Sequence, residues 1–93
     1  MPFPVFFKPD ALRDLSRLPR NAQLRFLFAS GLVGQTPTRP SPQLLIKQMR
    51  GRQGFWRLTV GKWRGIYHFD GRVVRFHMFG DRATIYQQFE SRR

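Results

Sequence analysis

FWRLTVGKWRGIYHFDGRVVRFHMF, Phe55 to Phe79, is the stretch whose reading decides the fold. It contains runs rich in aromatic and β-branched residues, Phe55–Val60, Trp63–Phe69 and Val73–Phe79, joined by Gly61-Lys62 and Asp70-Gly71. A glycine-first pair suits a type II′ turn and Asp-Gly suits a type I′ turn, so the stretch reads as an antiparallel meander. Alternation then sorts the side chains. Trp56, Leu58, Val60, Trp63, Tyr67, Val74, Phe76 and Met78 fall on one face, which is expected to form the core. The other face carries Phe55, Thr59, Ile66, His68, Val73 and Phe79, and it leaves Arg57, Arg64, Arg75 and His77 on an open, concave, positively charged surface. There Phe55 and Phe79 are the rings placed to stack on a base.

Upstream, Pro2 to Phe7 reads as a short strand at a sheet edge or a strand start, because Pro4 lacks an N–H for a ladder. In KPDALRDLSRL, Pro9 suits the first helical position, Asp10 complements the helix dipole, and Leu12, Leu15 and Leu18 recur on one side, predicting a helix over Pro9 to Leu18. Pro19 interrupts. Asn21 then caps a second helix with apolar positions Leu24, Leu27, Phe28 and Leu32. Gln35 to Pro42 is a proline-rich loop. The segment Gln43 to Gln48 carries Leu44, Leu45 and Ile46 in a pattern open to either helix or strand. The expected fold is α+β, one small domain over residues 1–93 ordered βααβββ, with a helical hairpin on one face of an antiparallel sheet.

Composition narrows the function. A chain of 93 residues supports one core, and its ten phenylalanines and two tryptophans suit a small one. There is no cysteine, which excludes disulfides and zinc–thiolate sites and fits a reducing compartment. The run Val5-Phe6-Phe7 is too short for a signal core or a membrane span, so a soluble, cytoplasmic protein with no membrane partner is expected. The net charge is +12, carried mostly by arginine, whose planar fork grips phosphate in bidentate fashion. Such a balance calls for a polyanionic or acidic partner. The two histidines and five acids lack metal-ligand spacing, and no paired carboxylates, nucleophile elbow or phosphate-binding glycine loop is present. No metal and no cofactor are expected.

What remains is arginine, tyrosine, histidine and threonine. RNA brings its own nucleophile, the 2′-hydroxyl, so its cleavage needs a held phosphate, cations to offset transition-state charge, and groups that move protons. DNA lacks that hydroxyl. In GDRATIY, Gly80 to Tyr86, an arginine and a tyrosine stand four residues apart, and cations near a phenol favour its phenolate.

Met49-Arg50-Gly51, Trp56-Arg57-Leu58, Trp63-Arg64 with Tyr67, and Gly80-Asp81-Arg82 with Tyr86 together resemble the RelE/ParE superfamily of bacterial toxins, the likeness running from about Pro9 to Tyr86. The resemblance implies a microbial-ribonuclease-like architecture. Its RelE branch further implies ribosome-dependent cleavage of mRNA in the A site and an inhibitory antitoxin, expected to be acidic and to fold on the basic sheet. Carried over by position, Arg57 stands where relatives hold a catalytic lysine, Arg64 where they hold a phosphate-stabilising arginine, and Arg82 and Tyr86 form the terminal catalytic pair. Arg52, Phe55, Lys62, Arg75 and His77 are the expected substrate contacts. Thr59 departs from the pattern, since a second lysine is often found there, leaving Lys62 or His77 to supply that charge. Two alternatives stay open: a ParE-like toxin that binds DNA gyrase without nuclease activity, and a basic nucleic-acid-binding module.

Overall fold

The meander forms where expected and gains a strand at each edge. The computed structural model describes residues 2–92. Its elements are β1 (Val5–Phe7), α1 (Pro9–Ser16), α2 (Arg20–Gln35), β2 (Ile46–Gln48), β3 (Phe55–Val60), β4 (Trp63–Phe69), β5 (Val74–Asp81) and α3 (Ile85–Arg92). The sheet runs β1-β5-β4-β3-β2. It is mixed rather than antiparallel, because β1 pairs in parallel with β5 while the other strands are antiparallel. The ambiguous segment before the meander resolves as strand β2, with Ile46 opposite Leu58.

The β3–β4 connection is tight, with Gly61 at φ 59° in its first central position, as a Gly-first turn requires. The β4–β5 connection is longer than a two-residue Asp-Gly turn. Phe69 pairs with Val74, and the Asp70 carboxylate accepts the N–H groups of Arg72 and Val73, so the side chain closes the loop. Those bonds hold the Asp70 carboxyl below its ordinary range, Val73 contributing most.

Helices α1 and α2 cover one face. Ala11, Leu15, Ala22, Phe26, Ala29 and Val33 are buried there against Leu58, Tyr67 and Phe76. This differs from the helical face read off the sequence: Leu12, Leu24, Leu27 and Phe28 are exposed. Because α2 is apolar on both sides, periodicity alone could not tell which side meets the sheet.

A second correction comes from β5. The register shifts between Ile66 and Tyr67, which pair with Met78 and Phe76 respectively, so His77 is an extra residue on β5. One inserted residue reverses every following side chain. Phe79, expected on the open face, is buried in the helix-side core against Phe26, with ring centroids 4.8 Å apart. Gly65 permits that approach, since a Cβ there would lie 2.9 Å from Phe79 Cε1. Met78, expected in the core beneath the helices, moves to the opposite face beside Ile66.

That opposite face is covered too. Beyond β5 the chain folds as α3, and its Ile85 and Phe89 bury Ile66 and Met78 in a second small core. Asp81 Oδ1 accepts the Ala83 N–H at 2.7 Å in the turn leading into the helix. Two ion pairs clamp the helix, Arg92 to Asp14 of α1 at 2.7 Å and Glu90 to Arg52 in the loop before β3. Asp14 also accepts the Phe79 N–H, tying α1, β5 and α3 to one carboxylate, which in turn raises the Arg92 guanidinium further above its ordinary range. No helix among the described residues is long and apolar enough to cross a membrane.

Candidate active site

Strand β3 and the first turn of α3 bring the central pair together. Arg57 lies opposite Ile66, whose side chain supports Ile85, and the next residue, Tyr86, is carried over β3. Arg57 Nη1 donates to Tyr86 Oη at 3.2 Å, and the guanidinium carbon lies 5.9 Å from the phenol ring centroid. Both residues are partly buried, which weakens competition from water for their contact. They line a cleft of about 350 Å³ with Lys47, Gln48, Met49 and Arg50. Lys47 and Arg50 were not among the expected site residues, although Arg50 stands in the Met49-Arg50-Gly51 motif. Their signal was the basic character of KQMR, Lys47 to Arg50, unusable while the state of β2 stayed open.

The other expected site residues are dispersed. Arg64 Nη1 donates to the carbonyls of Gly61 and Trp63, at 2.9 and 3.0 Å, so its fork is turned to the β3–β4 connection. Thr59 lies opposite Arg64. Lys62 sits 4.8 Å over the Trp63 ring at the same turn. Arg82 is exposed in the connection between β5 and α3, its backbone N–H bound to the Lys62 carbonyl at 3.0 Å, and its side chain makes no hydrogen bond or ion pair among the described residues. Arg52 is held by Glu90 and lies 5.4 Å over the Phe89 ring.

Phe55 is enclosed by other rings rather than open for stacking, with His68, His77 and Phe89 at 4.8, 5.0 and 5.2 Å. His77 lines a separate cavity of about 310 Å³ with Lys8, Asp10 and Arg92. Burial pushes its imidazole down to about 4, reinforced by Lys8, His68 and Arg75. It is therefore neutral near pH 7 and outside the cleft of Arg57 and Tyr86. Arg75 is exposed on β5 opposite His68. Tyr67 is fully buried, its hydroxyl donating to the Pro37 carbonyl at 2.6 Å, and burial raises its phenol above the ordinary range. No three potential metal ligands cluster among the described residues.

No family model matches the sequence, and no curated protein does. Solved structures do. The toxin–antitoxin complex RelBE2 of Mycobacterium tuberculosis contains a chain 28% identical to this one, with a TM-score of 0.72 over 88% of this chain and 100% of that one. The chain is RelE-like. The RelB–RelE antitoxin–toxin complex of Methanococcus jannaschii matches at 23% identity and a TM-score of 0.74, covering 90% of this chain and 98% of that one. The free toxin RelE of E. coli matches at 17% identity and 0.78, covering 99% and 98%. Three helices on a five-stranded mixed sheet are thus the RelE-like α+β fold.

Proposed function

We propose that this RelE-like chain is the toxin of a type II toxin–antitoxin system and cleaves mRNA on the ribosome. The observation that carries the reading is the Arg57–Tyr86 contact, 3.2 Å, in a cleft whose lining includes the cations Lys47 and Arg50. Solved neighbours that are RelB–RelE complexes support an antitoxin as the protein partner.

In the proposed reaction Tyr86 enters as the phenolate, and the ribose 2′-oxygen bonds to the adjacent phosphorus while its proton passes to Tyr86 Oη. The bond from phosphorus to the 5′-oxygen breaks, leaving a 2′,3′-cyclic phosphate and a 5′-hydroxyl that takes its proton from solvent. Arg57 donates to Tyr86 Oη and holds the phenol in the cleft. Arg50 and Lys47 offset charge on the phosphate oxygens, a task that needs position more than proton exchange. Arg82, exposed before α3, serves the leaving oxygen by charge, because a guanidinium is too weak an acid to give up its proton readily. Arg64 reaches the phosphate by releasing the two carbonyls it now holds.

The test is primer extension on message translated by programmed ribosomes. Wild-type protein is expected to produce discrete cuts, and Tyr86→Phe to slow them by about 10²-fold or more, the range for a lost proton-transfer group. Arg57→Ala is expected to do the same with the fold retained. Full activity of Tyr86→Phe overturns the assignment. Inhibition of DNA supercoiling by gyrase, with no cutting of message, overturns the nuclease reading.

A further inference from the structure

Two spaces adjoin α3 and share no lining residue. Tyr86 lines the cleft described above, while Phe89 and Arg92, further along the helix, line the cavity of about 310 Å³ that holds His77. The proposed cleavage makes no use of this second space, which lies where α1, β5 and α3 meet beside the start of β3. Its volume is at the low end for small-ligand sites, enough for a molecule of one ring. Met78 and Phe89 give it apolar surface, and the rings of Phe55 and His77, 5.0 Å apart and at 72° to each other, give it flat walls. Such ring edges and faces suit a further aromatic ring. His77 makes no side-chain hydrogen bond among the described residues. Being uncharged near pH 7, it offers one N–H and one acceptor nitrogen.

The charges around the cavity set the sign and size of what it takes. Asp10 is paired with Arg13 at 3.0 Å, and Arg92 with Asp14 at 2.7 Å. Lys8 makes no ion pair and no side-chain hydrogen bond among the described residues, so one positive charge is left over. A metal cation would meet a single carboxylate, already paired, beside two cations. A phosphate monoester carries nearly two negative charges at pH 7, more than Lys8 balances. An uncharged ring would leave the ammonium without a partner. From this geometry we infer that the cavity binds a one-ring aromatic carboxylate, its ring against Phe55, Met78 and Phe89, its charge on Lys8, and His77 donating a hydrogen bond to it. The site goes beyond the nuclease reading and does not rest on it.

The probe is benzoate, with benzyl alcohol as the ring without charge and acetate as the charge without a ring. NMR titration of the full chain with benzoate is expected to saturate, shifting resonances of Lys8, Phe55, His77 and Phe89 while those of Lys47 and Arg50 stay in place. Both controls are expected to bind about tenfold or more weakly, as loss of the charge-assisted hydrogen bond or of the buried ring requires. Lys8 is exposed, so Lys8→Gln is compatible with folding, and it is expected to weaken benzoate by about tenfold or more, with Lys8→Arg restoring affinity. No saturable binding, equal binding of either control, or unchanged affinity of Lys8→Gln overturns the inference. So does displacement of benzoate by a non-cleavable single-stranded RNA, which would make the cavity part of a nucleic-acid path. Message cleavage by Lys8→Gln is expected to match wild type, so loss of benzoate binding with cleavage intact confines the effect to the cavity. Absence of cleavage in wild type strikes the nuclease reading and leaves the benzoate result standing.

Discussion

His77 shows how one inserted residue redirects chemistry. Placed in a bulge, it leaves the strict alternation of β5 and enters a cavity with Lys8, Asp10 and Arg92, against the Phe55 ring. Its folded value of about 4 lies below the ordinary 6.5, so the folded state resists a proton that the unfolded chain accepts. Stability from this residue is full above about pH 6.5 and is lost as pH falls toward 4. We expect urea titrations of wild type to lose about 1–2 kcal/mol across that window, a figure discounted for the partial exposure of the ring. His77→Phe is expected to flatten the profile there. An unchanged slope would remove the bulge histidine from the acid response. At the same scale, the Arg57–Tyr86 contact joins residues 29 positions apart, so its parts were legible in the sequence as a basic strand position and a terminal tyrosine, but not as a pair. Arg64 read as an equal partner because alternation gives a face and says nothing about where a long side chain turns.

At the scale of elements, the meander, its turn at Gly61 and the helices after Pro9 and Pro19 were legible because each rests on local signals. Three features were not. The bulge in β5 is set by packing against β4, the buried side of α2 by the sheet it meets, and α3 by contacts with residues far away in sequence. Even so, Ile85 and Phe89 stand one helical turn apart after Asp81, a pattern that marks an amphipathic start. The clamps on α3 are unequal. Asp14 is nearly buried and accepts from both Arg92 and the Phe79 N–H, whereas Glu90 is 57% exposed in its pair with Arg52. Asp14→Ala is expected to cost about 2–3 kcal/mol in chemical unfolding, since it orphans a buried N–H as well as a guanidinium. Glu90→Gln is expected to cost below about 1 kcal/mol. Equal losses would show that α3 is held by charge alone.

Across the whole molecule, all five acids are occupied in holding structure. Asp10 pairs with Arg13, Asp14 with Arg92, Glu90 with Arg52, and Asp70 and Asp81 close turns. None lines the cleft of Arg57 and Tyr86, so the positive field there is not offset from within. Binding to a non-cleavable single-stranded RNA should therefore fall steeply with salt. With three or four phosphates contacted, the slope of log K against log salt is expected to be about −2 to −3. A flat dependence would mean that the cleft does not meet the backbone.

The parallel pairing of Val5 with Val74 has a consequence in time. A ribosome making this chain delivers β1 and both covering helices long before the strand that closes the sheet, so early lengths of the nascent polypeptide have nothing to fold against. Contacts so distant in sequence slow closure. Until residues 74–76 emerge, the chain lacks the strand that closes the sheet and with it the scaffold that sets Tyr86 beside Arg57.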